Sequence, residues 1–377
     1  MDQWEFVGDL MRLRDGHYGF LDLFSWQGEH RIFTSRLSFF VDYYAFALGN
    51  LSVVLTAYLV LAGLAALLSA VAARERSWSV KAVVFAGALP SLWSLAGRIN
   101  LGWAFQLGWA YVHALPACAV VLFAAAGRRS GARAWTLLAA ACLFDALGVV
   151  SLASGLCTVV PVVAVAVWTR SRPALLGAFV LFHILVAILY LQGYEASEYA
   201  PVFDPLRLVG YLVPYLGAAF PRSPRASMVV GGVGLALAVA AMTTATVVAL
   251  RGRRLDPATA ALLGVAAFVL AEGVATSIGR AGFPDPTALA LRYGTPSEVF
   301  WTALVLSAWR WLGRNERRAA ARGLALAAIA GVVADNIVGG LIRPGRSGPR
   351  RSTTRASTSS TGSRPARRRG RPIRGRN

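Results

Sequence analysis

Charge is what this sequence has least of. Only 15% of its 377 residues are Asp, Glu, Lys or Arg, against about a quarter in an ordinary soluble domain. Lysine is almost missing, Lys81 being the single example, which points to a GC-rich genome rather than to a chemical requirement. The three cysteines, Cys118, Cys142 and Cys157, sit inside apolar runs and share no metal spacing, so they read as buried, inert thiols. No His/Cys/carboxylate cluster has ligand spacing and no glycine loop is built to cradle a phosphate, which argues against a nucleotide-using cytoplasmic domain. A cleavable secretory leader is not expected ahead of the chain, and no internal repeat is visible.

What is present is apolar. Hydrophobic residues make up 56% of the chain and the mean hydropathy is +0.55, more apolar surface than a soluble fold can hide. Lipid requires each segment to satisfy its own backbone hydrogen bonds, which leaves helices or a closed barrel. The runs are long and rich in Ala, Leu and Val rather than short and alternating, so the expectation is an all-α, polytopic transmembrane helix bundle. Apolar runs lie near 47–72, 82–97, 104–126, 135–150, 153–168, 174–192, 227–250, 258–277, 298–312 and 321–340, which predicts about nine or ten spans.

The net charge of +20 suggests nucleic acid and is better explained otherwise. Twelve arginines and no carboxylate lie between Arg343 and Arg376. Without that tail the charge is +8, from 20 − 12, which is ordinary for basic anchors on inner loops. The segment 341–377, of Gly, Pro, Ser, Thr and Arg, is expected to be disordered and to be a solvated tail without a role, with binding to membrane lipid headgroups as the alternative and no nucleic-acid partner. Basic clusters at Arg74/Arg76/Lys81, Arg128/Arg129/Arg133, Arg170/Arg172, Arg251/Arg253/Arg254 and Arg314/Arg317/Arg318 belong on the cytoplasmic side. The opposite face then receives 1–44, 98–103, 151–152, 193–226 and 278–297, provided that 206–220, with Gly210, Gly217 and Pro214, does not cross. If 321–340 spans, the tail lies outside, against the positive-inside bias. Three parts follow: an extracytoplasmic first loop with amphipathic helices (1–44), the bundle (45–340) and the tail (341–377), in a multi-pass protein of the inner (cytoplasmic) membrane.

Seven acids and four arginines occupy residues 1–44. Asp2 and Glu5 flank Trp4, and a carboxylate near the membrane surface is desolvated toward the pKa of a general base. Glu29-His30-Arg31 is the densest chemical triplet: an acid, an imidazole that titrates near neutrality and a guanidinium that binds phosphate through a planar fork. The competing reading of Glu29 is a surface salt bridge to Arg36 or Arg31. Asp15, His17 and Asp22 read as solvated turn residues. Among outer arginines, Arg292, followed by Tyr293, is the stronger phosphate candidate, Arg98 is even with a snorkelling anchor, and Arg280 is slightly weaker. Trp103, Phe105, Gln106 and Trp109 fit an interfacial aromatic belt, with Gln106 placed to hydrogen-bond a sugar and Trp103 to stack on one. Inside the spans Asp145, Glu272, Asp335, His113 and His183 are functional suspects because charge in lipid is costly; Asp145 and Glu272 are alternatively paired inside the bundle.

The strings DQWEF (2–6), GEHRIFTSRL (28–37), GWAFQLGW (102–109), SLASGL (151–156), LYLQGYE (189–195), GRAGF (279–283) and LRYGTPSEVFW (291–301) run in an order that resembles an uncharacterised group of bacterial multi-spanning membrane proteins. That group looks like GT-C-type glycosyltransferases. The resemblance implies transfer of a sugar from a polyprenyl-phosphate donor to an extracytoplasmic glycan, lipid or protein acceptor, with an essential carboxylate in the first outer loop. It also implies a hydrophobic helix ahead of that loop, whereas this chain starts inside it. No cofactor is implied, and a divalent metal is left open. On this reading Glu29, or the Asp2/Glu5 pair, is the base with His30 beside it, Arg31, Arg98 and Arg292 hold phosphate, and Tyr293, Trp103 and Gln106 meet the sugar. A transporter or flippase for a lipid-linked glycan is the alternative, with Asp145, Glu272 and Asp335 along its path; a scaffold without a site is a third.

Overall fold

Three helix starts follow directly from local chemistry. Asp204, Ser223 and Asp256 each accept a backbone N–H of the first turn, from Leu206 at 2.9 Å, Ala226 at 3.1 Å and Thr259 at 3.1 Å. Each is followed by proline, whose fixed φ and missing N–H suit the first helical position. The helices they open are α9 (Pro205–Leu216), α10 (Pro224–Leu250) and α11 (Pro257–Arg280). The computed structural model describes residues 2–94, 100–101, 106–194, 200–220, 223–283 and 287–312, without the side chains of 2–5. Arg98, Trp103, Asp335, the run 321–340, the arginine-rich tail and the side chains of Asp2 and Glu5 therefore lie outside the described residues.

The other elements, in chain order, are α1 (Asp2–Arg14), a 3-10 turn at Phe20–Phe24, a hairpin of β1 (Trp26–Gln27) and β2 (His30–Arg31), and α2 (Phe33–Phe46). Then come α3 (Leu51–Ala72), α4 (Trp78–Leu92), α5 (Leu107–Ala126), α6 (Ala132–Val149), a 3-10 segment Ala153–Thr158, α7 (Val159–Thr169), α8 (Pro173–Leu191) and, after α9 to α11, α12 (Gly294–Leu312). The fold is an all-α bundle. Six helices, α3, α5, α6, α8, α10 and α11, are long and apolar enough to cross a membrane, and α4 and 153–169 are shorter apolar helices. The chain is a multi-pass membrane protein. α12 has 19 residues and carries Glu298 and Arg310, which lower its hydropathy.

α11 and α5 form the centre, with 67% and 61% of their apolar windows buried, against 22% for α8 and α10, which face outward. A helix of 12 residues such as α9 extends roughly 18 Å, short of the ~30 Å hydrocarbon core. It therefore packs rather than crosses, as Gly210 and Pro214 led one to expect. Its contact with α10 is backbone on backbone: a Cβ at Gly231 would lie 1.8 Å from the carbonyl oxygen of Val213, and one at Gly217 would lie 1.9 Å from that of Ser227. No side-chain shift relieves a clash with backbone. Gly231→Ala is expected to push α9 from α10 and destabilise the protein by about 1–3 kcal/mol, read as a lower melting temperature in detergent; an unchanged melt would refute the close approach.

The two ends of the bundle differ in chemistry. At one, Arg310 of α12 donates to Asp256 Oδ2 at 2.7 Å, to the Ala72 carbonyl at 2.9 Å and to Glu75 Oε1 at 3.3 Å, while Arg170 donates to the Gly252 carbonyl at 2.8 Å. These loops carry the basic clusters. At the other end the amino-terminal segment docks: the Phe33 N–H donates to the Val150 carbonyl at 2.9 Å, and Thr34 Oγ1 donates to Ser151 Oγ at 2.8 Å. Residues 26–36, 150–156, 190–192, 279–283 and 292–295 thus share the end opposite the basic loops.

Candidate functional site

The hairpin carries the triplet. Gly28, at φ +57, occupies the first central position of a two-residue turn, where a type II′ geometry calls for glycine. Glu29 follows at the tip, and Trp26 pairs with Arg31 and Gln27 with His30. Arg31 fastens this hairpin to the end of α8. Its Nε donates to the Tyr190 carbonyl at 2.8 Å, its Nη2 to the Gln192 carbonyl at 2.5 Å and its Nη1 to the Phe24 carbonyl. The guanidinium lies 4.5 Å from the Trp26 ring centroid, and Trp26 Nε1 also donates to Gln192. All three nitrogens are engaged by carbonyls away from the cavity described next. The expectation that Arg31 holds phosphate is corrected: it anchors the loop.

Beneath the hairpin is a cavity of about 630 Å³ lined from five parts of the chain. The first segment supplies Glu29, His30 and Ser35; α5 and the residue before it supply Gln106 and Trp109; the 3-10 segment supplies Ser154 and Cys157; α11 supplies Thr276 and Arg280; the turn before α12 supplies Arg292 and Tyr293. Glu29, His30, Gln106, Arg292 and Tyr293 are thus brought together from positions up to 264 residues apart (293 − 29).

Glu29 pairs with neither Arg36 nor Arg31. Its Oε2 lies 2.5 Å from Nη2 of Arg280, a bridge from the hairpin tip to the end of α11. Arg36 instead donates to Asp9 Oδ2 at 3.1 Å. Arg280, the weakest arginine on sequence grounds, is therefore part of the site. Arg292 sits with its guanidinium 5.3 Å from the Tyr293 ring centroid, and no carboxylate among the described residues pairs with it. Asn100 fixes this turn by donating to the Arg292 carbonyl at 2.7 Å and to Thr295 Oγ1 at 2.9 Å. Tyr293 accepts from Tyr211 at 3.3 Å and meets Trp109 edge-on at 5.7 Å between centroids. Trp109 was missed as a site residue although it is three residues past Gln106, on the same helical face.

His30 is the electrostatic outlier. Burial lowers its pKa from 6.5 to about 4; Glu29 opposes this, and Arg280 and Arg292 reinforce it. Its Nδ1 is buried without a partner. The imidazole is neutral at pH 7, with one ring nitrogen unpartnered and the charges of two guanidinium groups acting on it. The folded value is depressed, so the unfolded chain binds the extra proton between pH 6.5 and about 4. Stability is complete above that window and is lost as pH falls through it. His30→Gln should flatten this acid limb in melting temperature against pH; superimposable curves for the two proteins would contradict it.

Two intramembrane carboxylates also have partners. Asp145 and Glu272 do not meet each other: His183 Nδ1 lies 2.9 Å from Asp145 Oδ2, and His113 Nε2 lies 3.0 Å from Glu272 Oε2. Among the described residues no group of three or more His, Cys, Asp or Glu could hold a metal ion. No known family, curated protein or solved structure matches the chain.

Proposed function

We propose that this protein is a glycosyltransferase of the cytoplasmic membrane that moves a sugar from a polyprenyl-phosphate donor to an extracytoplasmic acceptor. One observation carries the reading: an acid, a neutral imidazole and two arginines gather over one cavity on the face opposite the basic loops. In this scheme the acceptor hydroxyl attacks the anomeric carbon, the new C–O bond forms, and the bond to the phosphate oxygen breaks. Glu29 takes the hydroxyl proton. Arg292 and Arg280 stabilise the negative charge that grows on the departing polyprenyl phosphate. His30, uncharged, orients the donor by hydrogen bonding, and Gln106 with the Trp109–Tyr293 aromatic wall meets the sugar.

Glu29→Gln and Arg292→Ala, made in the full-length gene, should each lower transfer from a polyprenyl-phosphate sugar by about a hundredfold, some 2.7 kcal/mol at the transition state. Radiolabelled sugar transfer in membranes at matched protein levels measures this. Transfer at the wild-type rate in both variants would end the proposal. The paired histidines and carboxylates inside the spans favour the alternative, a transporter of a lipid-linked glycan. That reading requires labelled lipid to change leaflets with no new glycosidic bond, in vesicles containing the purified protein.

A further inference from the structure

The proposed transfer makes no use of His113 and Glu272. The Nδ1 of His113 lies 2.6 Å from the backbone oxygen of Trp109. A carbonyl only accepts, so Nδ1 carries its hydrogen. The other ring nitrogen, Nε2, then faces Glu272 Oε2 at 3.0 Å, with both side chains fully buried. Two bare lone pairs would repel at that separation. One further proton must lie between them, either as imidazolium with carboxylate or as imidazole with carboxylic acid. In both forms the unit is neutral overall, the state a low-dielectric interior favours.

Its position connects it to the cavity. Trp109 lines the cavity, and His113 is four residues further into α5 on the same face, its ring stacked at 6.2 Å and 18° on the indole. On α11, Ala275, Thr276 and Gly279 line the cavity, and Glu272 lies on their face, one turn deeper. Two central helices therefore set the pair one turn below the cavity floor. Glu272 Oε1 is buried with no hydrogen-bond partner, and so is the hydroxyl of Tyr215, whose ring packs where a Cβ on Gly273 would come within 3.0 Å. The titratable neighbours are Tyr215 from α9 and Cys157 from the 3-10 wall; Phe268 of α11 meets the imidazole edge-on. Among the described residues no arginine or lysine pairs with it.

We infer that His113 and Glu272 form a proton-binding site that communicates with the cavity, its ligand being a proton carried by water and admitted at Glu272 Oε1. The inference stands on this geometry whether the cavity serves transfer or transport. The full chain, labelled with 15N-histidine in lipid nanodiscs, tests it. With four histidines in the sequence, His113→Gln assigns the signal. The His113 Nε2 proton should exchange with water in the folded protein, much faster than global unfolding, and Thr276→Trp, which fills the floor, should slow that exchange by about tenfold or more. The His183 signal should keep its rate. Ala275→Leu provides the same reading with a smaller plug should Thr276→Trp not fold. Exchange no faster than unfolding, exchange indifferent to either plug, or equal slowing at His183 would each overturn the assignment.

Discussion

Arg36→Met will destabilise the protein by about 3–5 kcal/mol, the usual consequence of removing one partner from a buried ion pair, and will release the amino-terminal segment from the bundle. Arg36 is 4% exposed and Asp9 6%. Its Nε donates to Asp9 Oδ2 at 3.1 Å, and its Nη1 donates to the carbonyls of Ser25 at 2.6 Å and Leu23 at 3.2 Å. One guanidinium thus ties α1, the 3-10 turn and the strand that leads to the Glu29 hairpin onto α2. Methionine fills comparable volume, so packing of Phe6 against Phe39 and Phe40 is largely kept and the electrostatic loss is isolated. Asp9 retains Arg12 at 2.5 Å, but that arginine is half exposed and offsets little. Arg36→Lys keeps the charge and loses the fork, and should fall between the two. Adding Asp9→Leu to Arg36→Met should recover part of the loss, because no charge is then left buried. Thermal melts in detergent report the energy, and proteolytic nicking between residues 14 and 33 reports the release. A variant that melts with wild type and resists protease would show that this network holds nothing.

The dependence of the candidate site on such a tie explains what could be read from the sequence and what could not. The bundle was legible because its signals are local: apolar runs long enough to span and a Gly- and Pro-bearing stretch at 206–220 too broken to cross. The gathering of the basic loops at one end was legible because arginines recur at alternate loops, and Arg310, Asp256 and Glu75 do meet at that end. The triplet at 29–31 was legible as a concentration of chemistry, but the roles within it were not. Arg31 has the composition of a phosphate ligand, and only the carbonyls of residues 190 and 192, some 160 positions away, convert it into an anchor. Glu29 found Arg280 rather than a neighbour in sequence, since a hairpin tip reaches across the bundle while side chains near it in the chain point elsewhere. The same holds for the two histidines: each looks isolated on an apolar helix until the packing of α5 on α11 and of α6 on α8 supplies its acid.

That last pairing leads to an expected result of similar size. His183→Leu should cost about 3–5 kcal/mol, while Asp145→Asn should cost far less. His183 Nε2 faces the Leu156 carbonyl at 3.1 Å, so that nitrogen donates, and Nδ1 faces the Asp145 oxygens at 3.1 and 2.9 Å. One proton is again held between ring and carboxyl. An asparagine amide can donate to the neutral Nδ1 in its place, leaving every buried group satisfied. Leucine at 183 leaves a fully buried Asp145 with the Thr158 hydroxyl but no ring nitrogen beside it, and it also leaves the Leu156 carbonyl without its donor. Leu156 belongs to the 3-10 segment that walls the cavity, so the damage should extend to ligand binding as well as to the melt. Pairing His183→Leu with Asp145→Leu removes the stranded acid and should restore most of the stability but not the wall, which separates the two effects in one cycle. Equal losses from Asp145→Asn and His183→Leu would mean that an amide cannot stand in for the carboxyl beside Nδ1 between α6 and α8.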